Sequence, residues 1–86
     1  MRRLGFELPK SKKDALRAIT VFDLEWNNAM NIKNKRDRCS GLRRIYKVTS
    51  RIFLEAKKKY DRDGDENMRD VAKVFAKWIR SRGYIS

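Results

Sequence analysis

Apolar residues recur at three- and four-residue steps in three separate stretches of the chain. The first runs through Ala15, Leu16, Ile19, Phe22, Trp26, Ala29 and Met30, positions that fall on one broad face of a helix. Ser11 stands three residues before Asp14, the spacing of a capping box with Asp in place of Glu or Gln. Together they predict a helix over about 12–31. Asn27, Asn28, Asn31 and Asn34 weaken its C-terminal end, because asparagine side chains compete for the backbone.

The second stretch is the cleanest: Leu42, Ile45, Tyr46, Thr49, Ile52, Phe53, Ala56 and Tyr60 form one amphipathic stripe. A helix over about 41–60 is expected, with Ser40 as N-cap. Residues 33–41 then form a polar, basic connection, and Asp61-Arg62-Asp63-Gly64-Asp65 ends the helix. The third stretch, Met68, Val71, Ala72, Phe75, Trp78 and Ile79, predicts a helix over about 67–82. Asn67, with Asp70 three residues on, begins it. Gly83 suits a left-handed C′ position, and Tyr84 the closing apolar contact. Alternating strand patterns are absent, apart from a brief pairing open to the N-terminal arm and Tyr84-Ile85-Ser86.

Three helices with one stripe each bury those stripes only against one another. The predicted fold is all-α: a small three-helix bundle over 11–86, preceded by a short irregular or extended N-terminal arm over 1–10. At 86 residues the chain has room for one such domain.

Charge changes the picture. Twenty-three Lys and Arg against 11 Asp and Glu leave a net charge of +12, with no histidine and one cysteine. The missing histidine removes the commonest general base, and a lone cysteine removes a disulfide or cysteine-zinc framework within the chain. Cys39, among Arg36, Arg38 and Arg43, reads as a small half-buried residue rather than a reactive thiol. No apolar run approaches the ~20 residues of a membrane span, and none has the form of a signal-peptide core. The expected location is intracellular, cytoplasmic or nucleoid-associated.

The excess charge is not spread evenly. Residues 33–51 hold eight cations against the single acid Asp37, whereas 14–32 hold three acids against Arg17. Lys33, Lys35, Arg36, Arg38 and Arg43 crowd the first connection and the helix start. On the second helix Arg44, Lys47, Arg51 and Lys58 line up opposite the apolar stripe. On the third, Arg69, Lys73, Lys77 and Arg80 do the same, with only Glu55 and Asp70 at the edges of the two rows. Like charges at these spacings repel, and a polyanion relieves that repulsion through phosphate contacts. Lys57 and Lys59, at a helix C-terminus, are better explained as complements to the helix dipole.

These thirteen cations define the expected function: a non-enzymatic nucleic-acid-binding protein, for DNA or RNA, that reads backbone charge and shape more than base sequence. Basic rows also occur as plain solvated faces. The competing class is a regulatory protein-binding inhibitor or adaptor, of the kind encoded by viruses and mobile elements, docking on an acidic partner or a nucleoprotein complex. Val21, Leu24 and Ile32 lie off the first core face and mark a candidate protein-interface or self-association surface. An anionic-lipid binder would need an exposed apolar helix face, which the bundle removes, so no membrane partner is expected.

Sharper-looking signals fail on chemistry. In the Asp61–Asp65 segment the glycine is fourth rather than sixth, and Ala72 stands where a calcium loop needs a bidentate Glu; no metal and no cofactor are expected. The aromatics fall on the apolar stripes and read as core, leaving Phe6 and Tyr84 open for base stacking. No helix-turn-helix spacing, RNP or KH signature, glycine-rich phosphate loop or catalytic constellation is present.

Overall fold

Ser11 starts the first helix as expected. In the computed structural model, which describes residues 8–82, its backbone is extended (φ −152°, ψ 172°) and its hydroxyl accepts the Asp14 N–H at 3.4 Å. Three helices follow: α1 over Lys12–Met30, α2 over Lys35–Asp63 and α3 over Glu66–Arg82. No strand occurs among the described residues, and the fold is the all-α three-helix bundle that the stripes predict. Gly83, Tyr84, the 84–86 pairing, Phe6 and most of the arm lie outside the described residues.

The second helix begins earlier than its apolar stripe. Asn34, not Ser40, is the N-cap: its Oδ1 accepts the N–H groups of Arg36 at 2.9 Å and Asp37 at 3.2 Å. The tendency of asparagine to bond local backbone, expected to weaken the end of α1, here starts α2. The predicted 33–41 connection is therefore mostly helix. Ser40 and Gly41 lie inside α2, and Cys39 is exposed on its surface rather than half-buried. Gly41 faces α1 closely, since a Cβ there would stand 3.4 Å from the Ala29 Cβ. Glycine within a helix costs roughly 0.5–1 kcal/mol relative to alanine.

The far end of α2 also runs past the predicted residue 60. Gly64 stops it in the left-handed region (φ 68°, ψ 26°), donating its N–H to the Tyr60 carbonyl at 2.7 Å. Asp65, rather than Asn67, then starts α3, because its Oδ1 accepts the Asn67 N–H at 2.9 Å. With 29 residues, α2 is about 43 Å long at 1.5 Å per residue. That equals the longest dimension of the molecule, 43 Å.

Two apolar clusters form the interior. Ala15, Ile52, Ala56, Met68, Val71, Ala72 and Phe75 make the larger, and Trp26, Ala29, Ile45 and Trp78 the smaller. Edge-to-face aromatic pairs bind α1 to α3: Phe22 with Phe75 at 6.2 Å and Trp26 with Trp78 at 5.7 Å between ring centroids, the geometry ring quadrupoles favour. Thr49 is fully buried and loses no hydrogen bond, because its hydroxyl reaches the carbonyls of Ile45 and Tyr46 in its own helix. Leu16 and Met30, assigned to the α1 core face from their spacing, are instead about half exposed. They sit at the edge of a stripe broader than the surface it meets.

The α2–α3 contact is the most extensive, and α1 packs against both partners. Because α1 covers one side of the α2–α3 pair, the opposite side stays open, and a groove between the two helices lies there.

Candidate nucleic-acid interface

Of the thirteen cations predicted to bind phosphate, twelve are exposed and Arg38 is half-buried. Arg38 is occupied structurally: its Nη1 donates to the Ile32 carbonyl at 3.1 Å and ties the α1–α2 connection to the new helix. Arg69 pairs with Glu66 at 3.5 Å. Lys33, Lys35, Arg36, Arg43, Arg44, Lys47, Arg51, Lys58, Lys73, Lys77 and Arg80 form no ion pair among the described residues.

The bundle brings several of these cations together. A groove of about 690 Å³ runs between α2 and α3, lined by Tyr46, Ser50, Phe53 and Leu54 on one bank and by Ala76, Ile79 and Arg80 on the other. A narrower stretch of about 230 Å³ continues it past Phe53 and Ala76 to Lys57, Tyr60 and Asp61, opposite Arg69, Ala72 and Lys73. Arg51 and Lys58 border a shallow depression on the outer side of α2, with Glu55 between them, and this depression shares Leu54, Lys57 and Asp61 with the groove. The basic rows of the two helices are thus neighbours across an apolar seam. Lys47 lies one turn before Arg51 on the same row, and Lys77 one turn after Lys73. Lys57, set aside in the sequence as a dipole complement, lines the groove as well.

Other cations are placed elsewhere. Arg44 lines a separate depression between α1 and α2, with Glu25, Asn28, Ile32 and Gly41. Lys35 and Arg36 sit in the first turn of α2, a helix end whose dipole already carries partial positive charge. Ile32 lies beyond the end of α1 in that same α1–α2 depression, apart from Val21 and Leu24 on the outer face of α1.

The sequence also hid some features. Phe53 and Tyr60 pack partly against the core, yet they and Tyr46 are half-buried and line the groove. Their assignment to the core was therefore half the answer. Asp23 accepts the Trp78 indole N–H at 3.2 Å and pairs with Arg82 at 3.2 Å, while the Arg82 guanidinium lies 5.3 Å from the Trp78 ring centroid. This cluster joins α1 to α3 and takes Arg82 out of the free basic surface. The four-residue step from Trp78 to Arg82 was the available signal; the long-range partner was not.

Among the described residues, no group of His, Cys, Asp and Glu could hold a metal ion, and no helix is long and apolar enough to cross a membrane. Compared with known proteins, the chain matches no family model, no curated sequence and no solved structure.

Proposed function

We propose that this chain is a non-enzymatic nucleic-acid-binding protein that holds the phosphate backbone on the outer faces of α2 and α3. One observation carries the reading: Arg51, Lys58, Lys73 and Arg80 border one connected surface built from two helices, and although Glu55 and Asp61 line it too, none of the four cations is held in an ion pair among the described residues. Unpaired cations in rows raise the energy of the free protein. Phosphates replace that repulsion with attraction and release condensed counterions. The first turn of α2 adds Lys35 and Arg36 beside a positive helix end, a second cationic patch at the far end of the same helix.

The test is titration against duplex and single-stranded DNA and RNA at about 50 and 200 mM salt. Six to ten phosphate contacts predict a loss of about 10³–10⁵ in affinity over that interval. Arg51→Glu with Lys73→Glu weakens binding at least ~10-fold and lowers the salt slope by about 2, while the circular-dichroism spectrum stays unchanged. Unchanged affinity in that folded variant removes the face from the account.

A second reading, an adaptor or inhibitor that docks a protein or self-associates through α1, is favoured by one observation. Val21 and Leu24 are 53% and 60% exposed on α1, on the segment with a slight acidic excess. Sedimentation at several concentrations tests the self-associating version, and a monomer at high micromolar concentration eliminates it.

A further inference from the structure

Phosphate binding by itself leaves the apolar seam of the α2–α3 groove without a task. A duplex presents phosphates outward and keeps its bases stacked inside, so a surface built only for duplex backbone needs no aromatic trough between its cations. We propose that the groove takes the unpaired bases of a single-stranded nucleic acid, with the strand following the α2–α3 seam and its phosphates on the cations of both banks. The inference rests on the nucleic-acid reading above and narrows its ligand.

The geometry comes from helix periodicity. Tyr46, Phe53 and Tyr60 are seven residues apart, which sets them along one line of α2 about 10.5 Å apart. Tyr46 and Phe53 line the wider part of the groove, Phe53 and Tyr60 the narrower. Opposite them α3 offers the small side chains of Ala72 and Ala76, and Tyr46, Phe53 and Tyr60 are half-buried rather than enclosed. Ile79 and Leu54 add apolar contact, and Leu54 is 56% exposed.

Cations flank this line on both sides, with Lys57 on α2 and Lys73 and Arg80 on α3. The one acid among the lining residues, Asp61, stands at the narrow end. Aromatic faces along a cationic channel are what sequence-tolerant binding of single strands requires. An acidic amphipathic helix is the competing occupant. It would seat aliphatic side chains in pockets spaced along its length, whereas the groove is lined by rings on one bank and alanines on the other, with a single larger aliphatic side chain on each.

The full chain is titrated with labelled oligo(dT) and oligo(U) of about 12 nucleotides, a length within single-strand site sizes. Blunt duplexes of the same length and an abasic strand of the same charge are titrated beside them. The expected result is at least ~10-fold tighter binding of one or both single strands than of duplex or abasic strand, as one stacked base provides. Phe53→Leu keeps most of the packing volume and removes the ring; Leu54→Glu sets an acid at an exposed groove position without touching the core. Each should weaken single-strand binding ~10-fold, with the thermal melt of Leu54→Glu within a few degrees of the parent.

Equal binding of the abasic strand, or preference for duplex, overturns the groove inference and leaves the phosphate reading standing. Absence of binding to any nucleic acid at low salt overturns both. Displacement of the bound single strand by a Leu/Glu amphipathic peptide at lower concentration than unlabelled strand assigns the groove to a protein helix and overturns the inference.

Discussion

The two sides of the α2–α3 pair both carry apolar and aromatic residues but differ in charge and in fate. On the side facing α1, Ile52, Val71 and Phe75 are at most 1% exposed, and edge-to-face rings and the Asp23–Trp78–Arg82 cluster close the seam. On the opposite side Tyr46, Phe53 and Ile79 are half-buried, Leu54 is exposed, and cations stand where a fourth helix would otherwise pack. The difference teaches that the stripes of α2 and α3 are wider than one neighbouring helix can cover. What α1 leaves over becomes a surface with its own chemistry. Stability resides on one side of the pair, and the proposed binding on the other.

Phe75→Ala should break this division most severely. The side chain is fully buried between all three helices, and truncations of this kind cost about 3–5 kcal/mol, a large share of what a domain of this size holds. Loss of a cooperative thermal melt is the expected result, and a fall in melting temperature of only a few degrees would show that the interior is looser than its burial implies. Asp23→Ala should act on the same side more mildly. It leaves the Trp78 indole N–H and the Arg82 guanidinium without their acceptor, a loss of about 1 kcal/mol for a partly exposed site. Urea denaturation checks this, and an unchanged midpoint would mean that the rings alone hold α1 to α3.

Two glycines sharpen the contrast at smaller scale. Gly64→Ala forces a side chain into left-handed backbone with open space around it, so its penalty is conformational, about 1–2 kcal/mol. Gly41→Ala replaces a helical glycine whose Cβ would reach ordinary contact with Ala29. Gained helix propensity of about 0.8–1 kcal/mol meets no clash there, so the melting temperature should rise by a few degrees. Gly41→Leu should separate α1 from α2 at that end and lower it. The same thermal scans rank all three, and equal effects of alanine at both sites would contradict the difference in backbone.

Much of this architecture was legible in the residues. The α2 and α3 stripes are buried or half-buried as their spacing implies, and Ser11 caps α1 through the predicted partner. The errors were local and have one cause. Ser40-Gly41 looks like a helix start in isolation, but Asn34 offers a cap six residues earlier, and nothing between them obstructs a helix. Gly41 lies inside the helix against α1, and no local pattern contains that information. Leu16 and Met30 were misplaced for a related reason: periodicity shows the direction of a face but not the width its neighbour covers.

The proposed site divides the same way. Rows of cations opposite an apolar stripe follow from spacing alone, and Arg51, Lys58, Lys73, Lys77 and Arg80 were found by it. Their meeting across a groove, the separation of Arg44 into another depression, and the loss of Arg38 and Arg82 to structural contacts depend on which helices touch. Helix periodicity, caps and charge rows act between residues a few positions apart, so the sequence by itself determined three amphipathic helices and their basic faces. The groove and the Asp23–Trp78 contact join residues tens of positions apart, and only packing of the helices decided them.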